Sequence, residues 1–391
     1  MNKSITIIIT RFPWPLDNGL SNKNYWLIKN LSNHFDINLI VIQRRKINQE
    51  QISKIKKYVK KIEIHSPNLI EIFINLIKNI FNKNPLQLAF FKSSSAEKSL
   101  KNNFKHSEAF VFSLIRGVQN IEPITDDKTI ICDYADSLGQ AYIRNSSQMS
   151  FPLSYIYLIE GKRMLNYEIK ITKKISQAFL FNEQEVNFFK NEKIKKIPHG
   201  INPLLFKDFE KTTCFSDGVV LFGKMDFKPN EDAAIWFAEN ILPKLHESIR
   251  FYIVGSHPTE KIKNLAKINS KITVTGFLEN PYPAIKGCIA TVCPIRLGGG
   301  IQNKVIESLA IGKISLISPL AAAAFNFTDE GDAPFFICHN ELEWINKIHK
   351  IFLNKYDYSN KVIQGIEFAK RNFSWDSYTE TIKNSITKNA N

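Results

Sequence analysis

The hydrophobic positions of the chain fall into short apolar runs that alternate with longer amphipathic stretches. An apolar run at 5–9 is followed by a Pro- and Gly-rich loop at 12–19, an amphipathic stretch at 21–35 and a second apolar run at 37–42. Short apolar runs predict buried strands, and apolar residues spaced three and four apart predict helices. The order strand, helix, strand is typical of a βαβ unit with parallel strands. The loop would then lie at the carboxyl end of the first strand, where open α/β sheets bind ligands.

The same alternation recurs along the chain with one break. Further strands are predicted at 109–114, 129–133, 177–182, 219–222, 251–254, 272–275, 290–294 and 313–318. The polar, unpatterned stretch at 207–217 predicts a linker, and a length of 391 residues also favours two domains. We therefore expect an α/β protein of two Rossmann-like domains, residues 1–206 and 207–371. A final helix in 372–391 can pack back on the first domain.

Residues 50–106 are predicted to be helical and are rich in lysine. Within them, 69–81 is apolar with sparse charge. The lysines nearby are Lys54, Lys56, Lys57, Lys60, Lys61, Lys78 and Lys83. An apolar helix beside a lysine cluster can lie in the interface of an anionic membrane. It can also be a core helix of the first domain with a solvated lysine face.

Net charge and cysteine content indicate which partners and which compartment to expect for the protein. The formal net charge of +15 indicates either the residue usage of an AT-rich genome or a polyanionic neighbour. Basic and aromatic residues are not interleaved as in known nucleic-acid modules, so we expect no nucleic-acid partner. The five cysteines form no Cys-x-x-Cys pair, which favours reduced thiols in the cytoplasm and no structural metal. No apolar run approaches the ~20 residues of a membrane span, and the N-terminus is predicted to be a strand.

The segment 295–310 carries the most informative candidate chemistry. Three glycines at 298–300 follow a predicted strand and precede a predicted helix. A glycine loop at a helix N-terminus offers backbone N–H groups to a phosphate with no Cβ in the way. Lys304 and Glu307 lie three residues apart on one face of that helix. A cation near phosphate and a carboxylate near ribose hydroxyls suit a nucleoside diphosphate, whereas the alternative is an ordinary turn with a surface ion pair.

These features together resemble the retaining glycosyltransferases of the GT-B fold, family 4 in particular. The segments that carry the resemblance are Pro13-x-Pro15-x-Asp17-x-Gly19, 198–206, Gly223-Lys224, 253–255, 274–277, 294–310 and Phe373-Ser374-Trp375. The resemblance implies two Rossmann-like domains that face a central cleft. The N-terminal domain would bind the acceptor and the C-terminal domain the nucleotide-sugar donor, with the last helix crossing back to the first domain.

The most specific similarity is to a subgroup of sugar transferases associated with exopolysaccharides. Its members carry a block G-x-M-D-x-x-P-N-x-D-A-x-x-W-F, here at 223–237, and a loop G-x-G-I-x-x-K, here at 298–304. This implies transfer of a hexosyl-type sugar to a glycan or a lipid-linked acceptor in the synthesis of a cell-surface polysaccharide. Such an enzyme would be cytoplasmic, and contact with an anionic membrane surface would place it on the inner face of the plasma membrane.

Two departures from the family pattern keep other functions open. Gly299 stands where family members place the first of two glutamates, which contacts the donor sugar, while the second corresponds to Glu307. Where many relatives carry a histidine, the region 112–117 offers Ser113 and Arg116. A catalytically silent GT-B scaffold that binds a partner or polymer is therefore the main alternative. A nucleotide-sugar epimerase is less favoured, because the acidic and histidine residues that it would need are not found.

The chemistry implied by the resemblance needs positive charge at the leaving diphosphate, where charge develops as the glycosidic bond breaks. No Asp-x-Asp metal pair follows a strand, so we expect Lys224, Lys304 and the helix N-terminus to replace a metal ion. Arg116 is the candidate catalytic residue of the first domain. Retention would proceed by front-face attack, with the leaving phosphate accepting the proton. We expect no cofactor besides the nucleotide-diphospho-sugar, which is a co-substrate.

The remaining predictions concern binding. The expected donor contacts are Glu307 to the ribose, Phe277 to the base, Gly19 to the diphosphate, and the loop residues Gly298, Gly299, Gly300 and Ile301. The alternatives are a core phenylalanine at 277 and an ordinary turn glycine at 19. Asp133 and Asp136 end a predicted strand and could bind acceptor hydroxyls. Helix capping is the alternative role for Asp136.

Overall fold

The computed structural model describes residues 3–16, 19–121, 128–147, 149–197, 200–208, 210–297, 301–328, 331–353 and 358–388. The chain divides into two compact units: the first unit is residues 1–200 with 375–391, and the second unit is residues 201–374. The division precedes the polar stretch at 207–217, because residues 201–206 already pack with the second unit. Ile201 donates its backbone N–H to the carbonyl of Phe373, and Ile201 and Leu205 are buried in the second core.

The first unit contains a seven-stranded parallel sheet with the order β3-β2-β1-β4-β5-β6-β7. Its strands are β1 (Ser4–Ile9), β2 (Asp36–Ile42), β3 (Lys61–His65), β4 (Ala109–Ser113), β5 (Thr129–Ala135), β6 (Gln177–Leu180) and β7 (Ile194–Lys196). Its helices are α1 (Gly19–Leu31), α2 (Gln49–Lys56), α3 (Leu69–Phe81), α4 (Ser94–Phe104), α5 (Leu138–Ser146), α6 (Leu153–Lys174) and α7 (Glu183–Phe189). In β1, Ile7 faces one core layer and Ile8 the other, as the two-residue period of a strand requires. Both faces are therefore covered.

The prediction that residues 50–106 are helical is wrong at Lys61–His65. These residues form β3, which pairs with β2 at the edge of the sheet. Isoleucine alternates with charged side chains there, which is the two-residue pattern of a half-exposed strand. The many lysines of the region obscured this short pattern.

The second unit contains a six-stranded parallel sheet with the order β10-β9-β8-β11-β12-β13. Its strands are β8 (Gly218–Phe222), β9 (Arg250–Val254), β10 (Ile272–Gly276), β11 (Ala290–Cys293), β12 (Ser315–Ile317) and β13 (Phe336–Ile337). Its helices are α8 (Lys228–Asn240), α9 (Glu260–Ile268), α10 (Tyr282–Gly287), α11 (Asn303–Ala310), α12 (Pro319–Ala323), α13 (Glu341–Phe352) and α14 (Ser359–Asn372). In both sheets the first strand lies between the second and the fourth, which is the Rossmann order. The prediction of two Rossmann-like halves is thus confirmed.

The last helix, α15 (Trp375–Lys388), belongs to the first unit, as predicted. It packs on α1, and its residues Trp375, Tyr378, Ile382 and Ile386 are buried in the same core layer as Ile7 of β1. The first core is therefore completed by residues from both ends of the chain. No helix among the described residues has the length and apolar composition needed to cross a membrane.

Glycines at three neighbouring strand ends shape the carboxyl edge of the second sheet. Gly223, Gly255 and Gly276 have φ angles of 142°, 149° and 70°, which L side chains rarely adopt. A Cβ on Gly255 would lie 1.7 Å from the carbonyl oxygen of Gly223, whereas a Cβ on Gly276 would meet no atom within 4 Å. The backbones at the ends of β8 and β9 are therefore in direct contact, and only glycine permits this.

Replacing Gly255 with alanine tests this contact. We expect Gly255→Ala to lower the free energy of unfolding by about 2–4 kcal/mol, because strain in φ adds to a collision with backbone. Gly276→Ala is the matched control, since it carries the φ strain alone and should cost about 1–2 kcal/mol. Urea unfolding followed by fluorescence measures both. Equal losses in the two variants would contradict the close contact.

Candidate functional site

A hydrogen-bonded cluster at the carboxyl edge of the second sheet joins the ends of two helices to the turn after β8. Asn230, in the first turn of α8, is buried and donates from Nδ2 to the carbonyl of Lys224 at 2.8 Å. Its Oδ1 accepts from Lys304 Nζ of α11 at 2.7 Å. The position of a Cβ on Gly223 lies 3.0 Å from Asn230 Nδ2 and 3.5 Å from Lys304 Cε. The end of β8 and Lys304 are therefore held together by one asparagine.

The hydrogen-bond partners of Lys304 are neutral, so they do not compensate its charge. Besides Asn230, its Nζ donates to Gln302 Oε1 at 3.2 Å. An ammonium group has three N–H donors, so these two bonds leave one for a further acceptor. Lys304 is only partly buried, so an anion at this edge can reach it. This geometry suits a phosphate oxygen.

Glu307 lies one turn further along α11, and the pKa of its carboxyl is raised. Burial raises the pKa of Glu307 to about 7, although a hydrogen bond from Tyr282 and the charge of Lys304 both oppose this. Burial, and then the same carboxylate, raise the pKa of the Tyr282 hydroxyl, which donates to Glu307. The Glu307 side chain remains partly open to solvent. It can therefore accept from ligand hydroxyls when it is ionised.

The other donor-side residues are placed as follows. Lys224 is exposed and pairs with Asp226 at 3.2 Å, so only its backbone carbonyl takes part in the Asn230 cluster. Phe277 is 75% exposed, which excludes the alternative of a core phenylalanine. Ile301 is partly buried against the second core. The loop residues Gly298, Gly299 and Gly300 lie outside the described residues, so their predicted role stays a prediction.

In the first unit, Asp133 is the centre of a buried polar cluster. It lies two residues before the end of β5 with no exposed surface, and its Oδ2 lies 2.7 Å from Nζ of the buried Lys23 of α1. The hydroxyl of Tyr378 in α15 donates to the same oxygen, and the Ala135 backbone N–H donates to Oδ1 at 2.8 Å. Contact between Asp133 and an acceptor hydroxyl stays a prediction, and it would require displacing these partners.

Asp136 lies beyond this cluster and is exposed. Partial enclosure by protein, and then the nearby Glu185, raise the pKa of Asp136 to about 6. The alternative of helix capping is wrong, because the residue that caps α5 is Ser137, whose Oγ accepts from the Gln140 N–H at 3.2 Å. Asp136 is thus an accessible carboxylate that titrates close to neutrality.

Arg116 and Gly19 complete the predicted residues of the first unit. Arg116 is partly buried, donates from Nε to Gln87 Oε1 at 2.9 Å, and lies over the ring of Phe91. Gly19 begins α1, and a Cβ there would meet no atom within 4 Å. The packing of the first unit does not itself require glycine at this position.

Sequence reasoning missed several residues of these clusters. Asn230 lies within the block at 223–237, but its type gave no sign that it would hold Lys304. Tyr282 and Lys23 stand in stretches without motifs, and their partners are 25 and 110 residues away. Among the described residues, no group of three or more His, Cys, Asp or Glu is placed to hold a metal ion.

Comparison with known proteins gives a match for part of the second unit and a likeness of the whole fold. Residues 216–354, within the second unit, match the family model described as glycosyl transferases group 1. No curated protein sequence matches the chain significantly. The structure of Anabaena HepE in complex with UDP is similar at 11% identity and a TM-score of 0.63, covering 98% of this chain and 100% of HepE.

Two further solved structures are similar over nearly their whole length. A glycosyltransferase from Rickettsia africae is 15% identical with a TM-score of 0.65, covering 100% of this chain and 99% of that one. Sucrose-phosphate synthase from Thermosynechococcus elongatus is 14% identical with a TM-score of 0.65, covering 99% of each chain. At such identities the likeness concerns the fold alone. The chain has the GT-B fold of two Rossmann-like domains.

Removing the Asp133 carboxylate tests its structural role. We expect Asp133→Asn to lower the free energy of unfolding by about 3–5 kcal/mol, because it leaves the Lys23 ammonium buried without its counter-charge. Tyr378→Phe is the control, since it removes one hydroxyl donor and should cost about 1–2 kcal/mol. The double variant Lys23→Met/Asp133→Asn should recover part of the loss. Urea unfolding measures all three, and a cost below 1 kcal/mol for Asp133→Asn would contradict a dry ion pair.

Proposed function

We propose that the protein is a glycosyltransferase that uses a nucleotide-diphospho-sugar, and that the edge of the second sheet binds this donor. The observation that carries the proposal is Lys304, held by Asn230 beside the glycine-bordered end of β8, with Glu307 one turn away. A cation, close backbone and a carboxylate are the groups that a diphosphate and a ribose need. The match of residues 216–354 to group 1 glycosyltransferases supports it, as does the solved complex of HepE with UDP-glucose.

In this proposal Lys304 stabilises the leaving diphosphate. Negative charge grows on the phosphate as the glycosidic bond breaks, and a cation fixed beforehand stabilises that charge without having to reorganise. Lys224 would add a second cation by leaving Asp226, and the loop at 298–300 would add backbone N–H donors. The transfer is proposed to be metal-independent and retaining, of the family 4 type, with the leaving phosphate taking the proton of the acceptor. Glu307 accepts from the ribose and Phe277 covers the base.

The acceptor side is proposed to lie on the first unit. Two of the residues predicted there, Arg116 and Asp136, are charged and at least partly exposed, and Gly19 leaves open space at the start of α1. The proposed acceptor is a glycan or a lipid-linked sugar of a cell-surface polysaccharide, which receives a hexosyl-type group in the cytoplasm. A mutant of S. aureus TarM, a solved structure of similar fold, is in complex with fondaparinux, α-GlcNAc-glycerol and UDP, which supports an acceptor with hydroxyl groups.

Calorimetry and a transfer assay with Lys304→Ala test the donor site. We expect the wild type to bind UDP, and the variant to lose roughly 30- to 1,000-fold in transfer rate from the accepted nucleotide-sugar, as when an oxyanion donor is removed. Lys267→Ala, an exposed lysine of α9, is the matched control and should behave as the wild type. A panel of nucleoside diphosphates and nucleotide-sugars identifies the base and the sugar. Folded protein that binds no member of the panel would refute the donor site.

The same experiment separates the second candidate function, a catalytically silent scaffold. The observation that favours the scaffold is Gly299, which replaces the glutamate that family members use to contact the donor sugar. A scaffold would bind a nucleotide or none, and would transfer nothing from any nucleotide-sugar of the panel. Transfer that is lost in Lys304→Ala excludes it.

Donor affinity should depend on pH through Glu307. Its carboxyl, with a pKa of about 7, must be ionised to accept two ribose hydroxyls, so affinity rises as pH rises through 7. We expect UDP-glucose to bind about tenfold more weakly at pH 6 than at pH 8, since the ionised fraction changes about tenfold. The diphosphate of a nucleotide-sugar carries no proton to lose in this range. Glu307→Gln should bind weakly at both pH values, and an unchanged pH dependence in that variant would exclude Glu307 as its source.

A further inference from the structure

Helix α3 of the first unit presents an apolar surface to solvent. Its exposed apolar residues are Leu69, Ile70, Phe73, Ile74, Ile77, Ile80 and Phe81. At about 100° per residue these seven fall within one arc of roughly 140°. Phe73 is 64% exposed and Phe81 is 80% exposed. A contiguous apolar face of this kind marks an interaction site rather than a chance distribution of surface residues.

The amphipathic character of α3 is reversed from that of an ordinary surface helix. Its inward side carries the buried Ile72 and two buried asparagines. The asparagines bind the neighbouring segment: Asn75 donates to the carbonyl of Lys92, and Asn79 to that of Pro85. A capping box between Asn68 and Glu71 fixes the start of the helix. The helix is thus held in place by polar bonds with its apolar side outward.

A large basic cavity lies on the inward side of the same helix: the α3 residues that line it fall at about 180–280° on the same count, so the cavity adjoins the apolar arc only at the edge where Lys78 lies. Its volume is about 820 Å³. Its charged lining residues are Lys78, Lys92, Lys170, Lys173 and Lys174, and the described lining includes no acidic residue. Lys92 pairs with Glu97 at 3.3 Å, which leaves the other four to give the cavity its charge. The asparagines Asn75, Asn79 and Asn82 of α3 also line it. Lysine ammonium groups and amide N–H donors are suited to phosphate oxygens.

We propose that α3 and this cavity form one docking surface for an anionic lipid bilayer. The apolar arc enters the acyl boundary, and the lysine-lined cavity receives the phosphate of a lipid headgroup. An apolar helix beside clustered lysines gains both from apolar burial and from attraction to anionic lipid. The inference rests on the proposed function in one respect: a lipid-linked acceptor is presented at such a surface. The donor site of the second unit is not part of it.

Charge decides between a bilayer and a second copy of this chain as the occupant. Two copies that buried their α3 arcs against each other would bring together two proteins of net charge +15, each with Lys78 at the edge of its arc. Repulsion between them would oppose such a dimer. An anionic bilayer instead supplies opposite charge beside an apolar interior. One partner then supplies both the anionic groups for the cavity and the apolar interior for the arc.

Vesicle flotation of the full chain tests the proposal. We expect binding to vesicles of phosphatidylcholine with phosphatidylglycerol, and at least tenfold weaker binding to phosphatidylcholine alone. Phe73→Ser/Ile77→Ser should lose at least tenfold in binding to anionic vesicles, with Ile268→Ser, an exposed isoleucine of α9, as the control. Lys173→Glu/Lys174→Glu should lose as much, with the exposed lysines of Lys267→Glu/Lys370→Glu as the charge-matched control. All variants change surface side chains, and circular dichroism checks that they fold.

Four outcomes would overturn the proposal. The first is binding that is equal for anionic and neutral vesicles, or absent from both. The second is a loss of vesicle binding in the control variants that equals the loss in the α3 and cavity variants. This would show that binding depends on general surface charge or hydrophobicity. The third is a dimer in sedimentation velocity that Phe73→Ser/Ile77→Ser dissociates, which would make a second copy the occupant. Millimolar inorganic phosphate should not release the protein from anionic vesicles, and release by phosphate would identify a free-phosphate site instead.

The donor site provides an independent readout in the same samples. UDP binding measured by calorimetry should be unchanged in the α3 and cavity variants, because their residues lie in the first unit. A variant that loses vesicle binding and keeps UDP binding would show that its substitutions affect the lipid surface alone. Folded wild-type protein that binds no member of the nucleotide panel would refute the proposed donor site and leave the lipid result standing.

Discussion

The first unit depends on a lysine–aspartate ion pair that is sealed from water. Lys23 and Asp133 have 2% and 0% of their side chains exposed, so each charge is stabilised by the other and by few further groups. Separating them within the core would leave two uncompensated charges, which is far more costly than breaking a surface pair. The pair therefore fixes α1 relative to β5. The loop before α1 and the exposed Asp136 after β5 both extend from this rigid base.

The second unit uses a lysine at the edge of its sheet in a different way. Lys23 is neutralised by a carboxylate in a dry core, whereas Lys304 is held by two amide oxygens in a partly open place. An amide partner fixes the position of an ammonium group without cancelling its charge. A lysine so held is ready for an anionic ligand, and a lysine paired with aspartate is not. The choice of partner thus separates a structural lysine from one available for chemistry.

The sequence predicted the repeating architecture well because strands buried on both faces leave a direct hydrophobic signal. The short strand β3 was not predicted, because none of its five residues is fully buried and lysines surround it in the sequence. At the site, Lys304 and Glu307 could be predicted from their place after a glycine run. Asn230 and Tyr282 could not, because side-chain partners far apart in sequence meet only once the sheet has formed. The burial of Asp133 could not be predicted either, because its partners come from α1 and α15.

The place of Tyr378 in this structure has a consequence for synthesis on the ribosome. Its hydroxyl meets Asp133 across a sequence separation of 245 residues. At about 5–20 residues per second, translating the second unit takes on the order of 10–35 seconds. For that interval the nascent first unit has all seven strands but lacks α15, so the core layer that this helix covers is open to water and to chaperones. The second unit has its whole sequence before the first can close, because α15 follows the second unit in the chain and completes the core of the first.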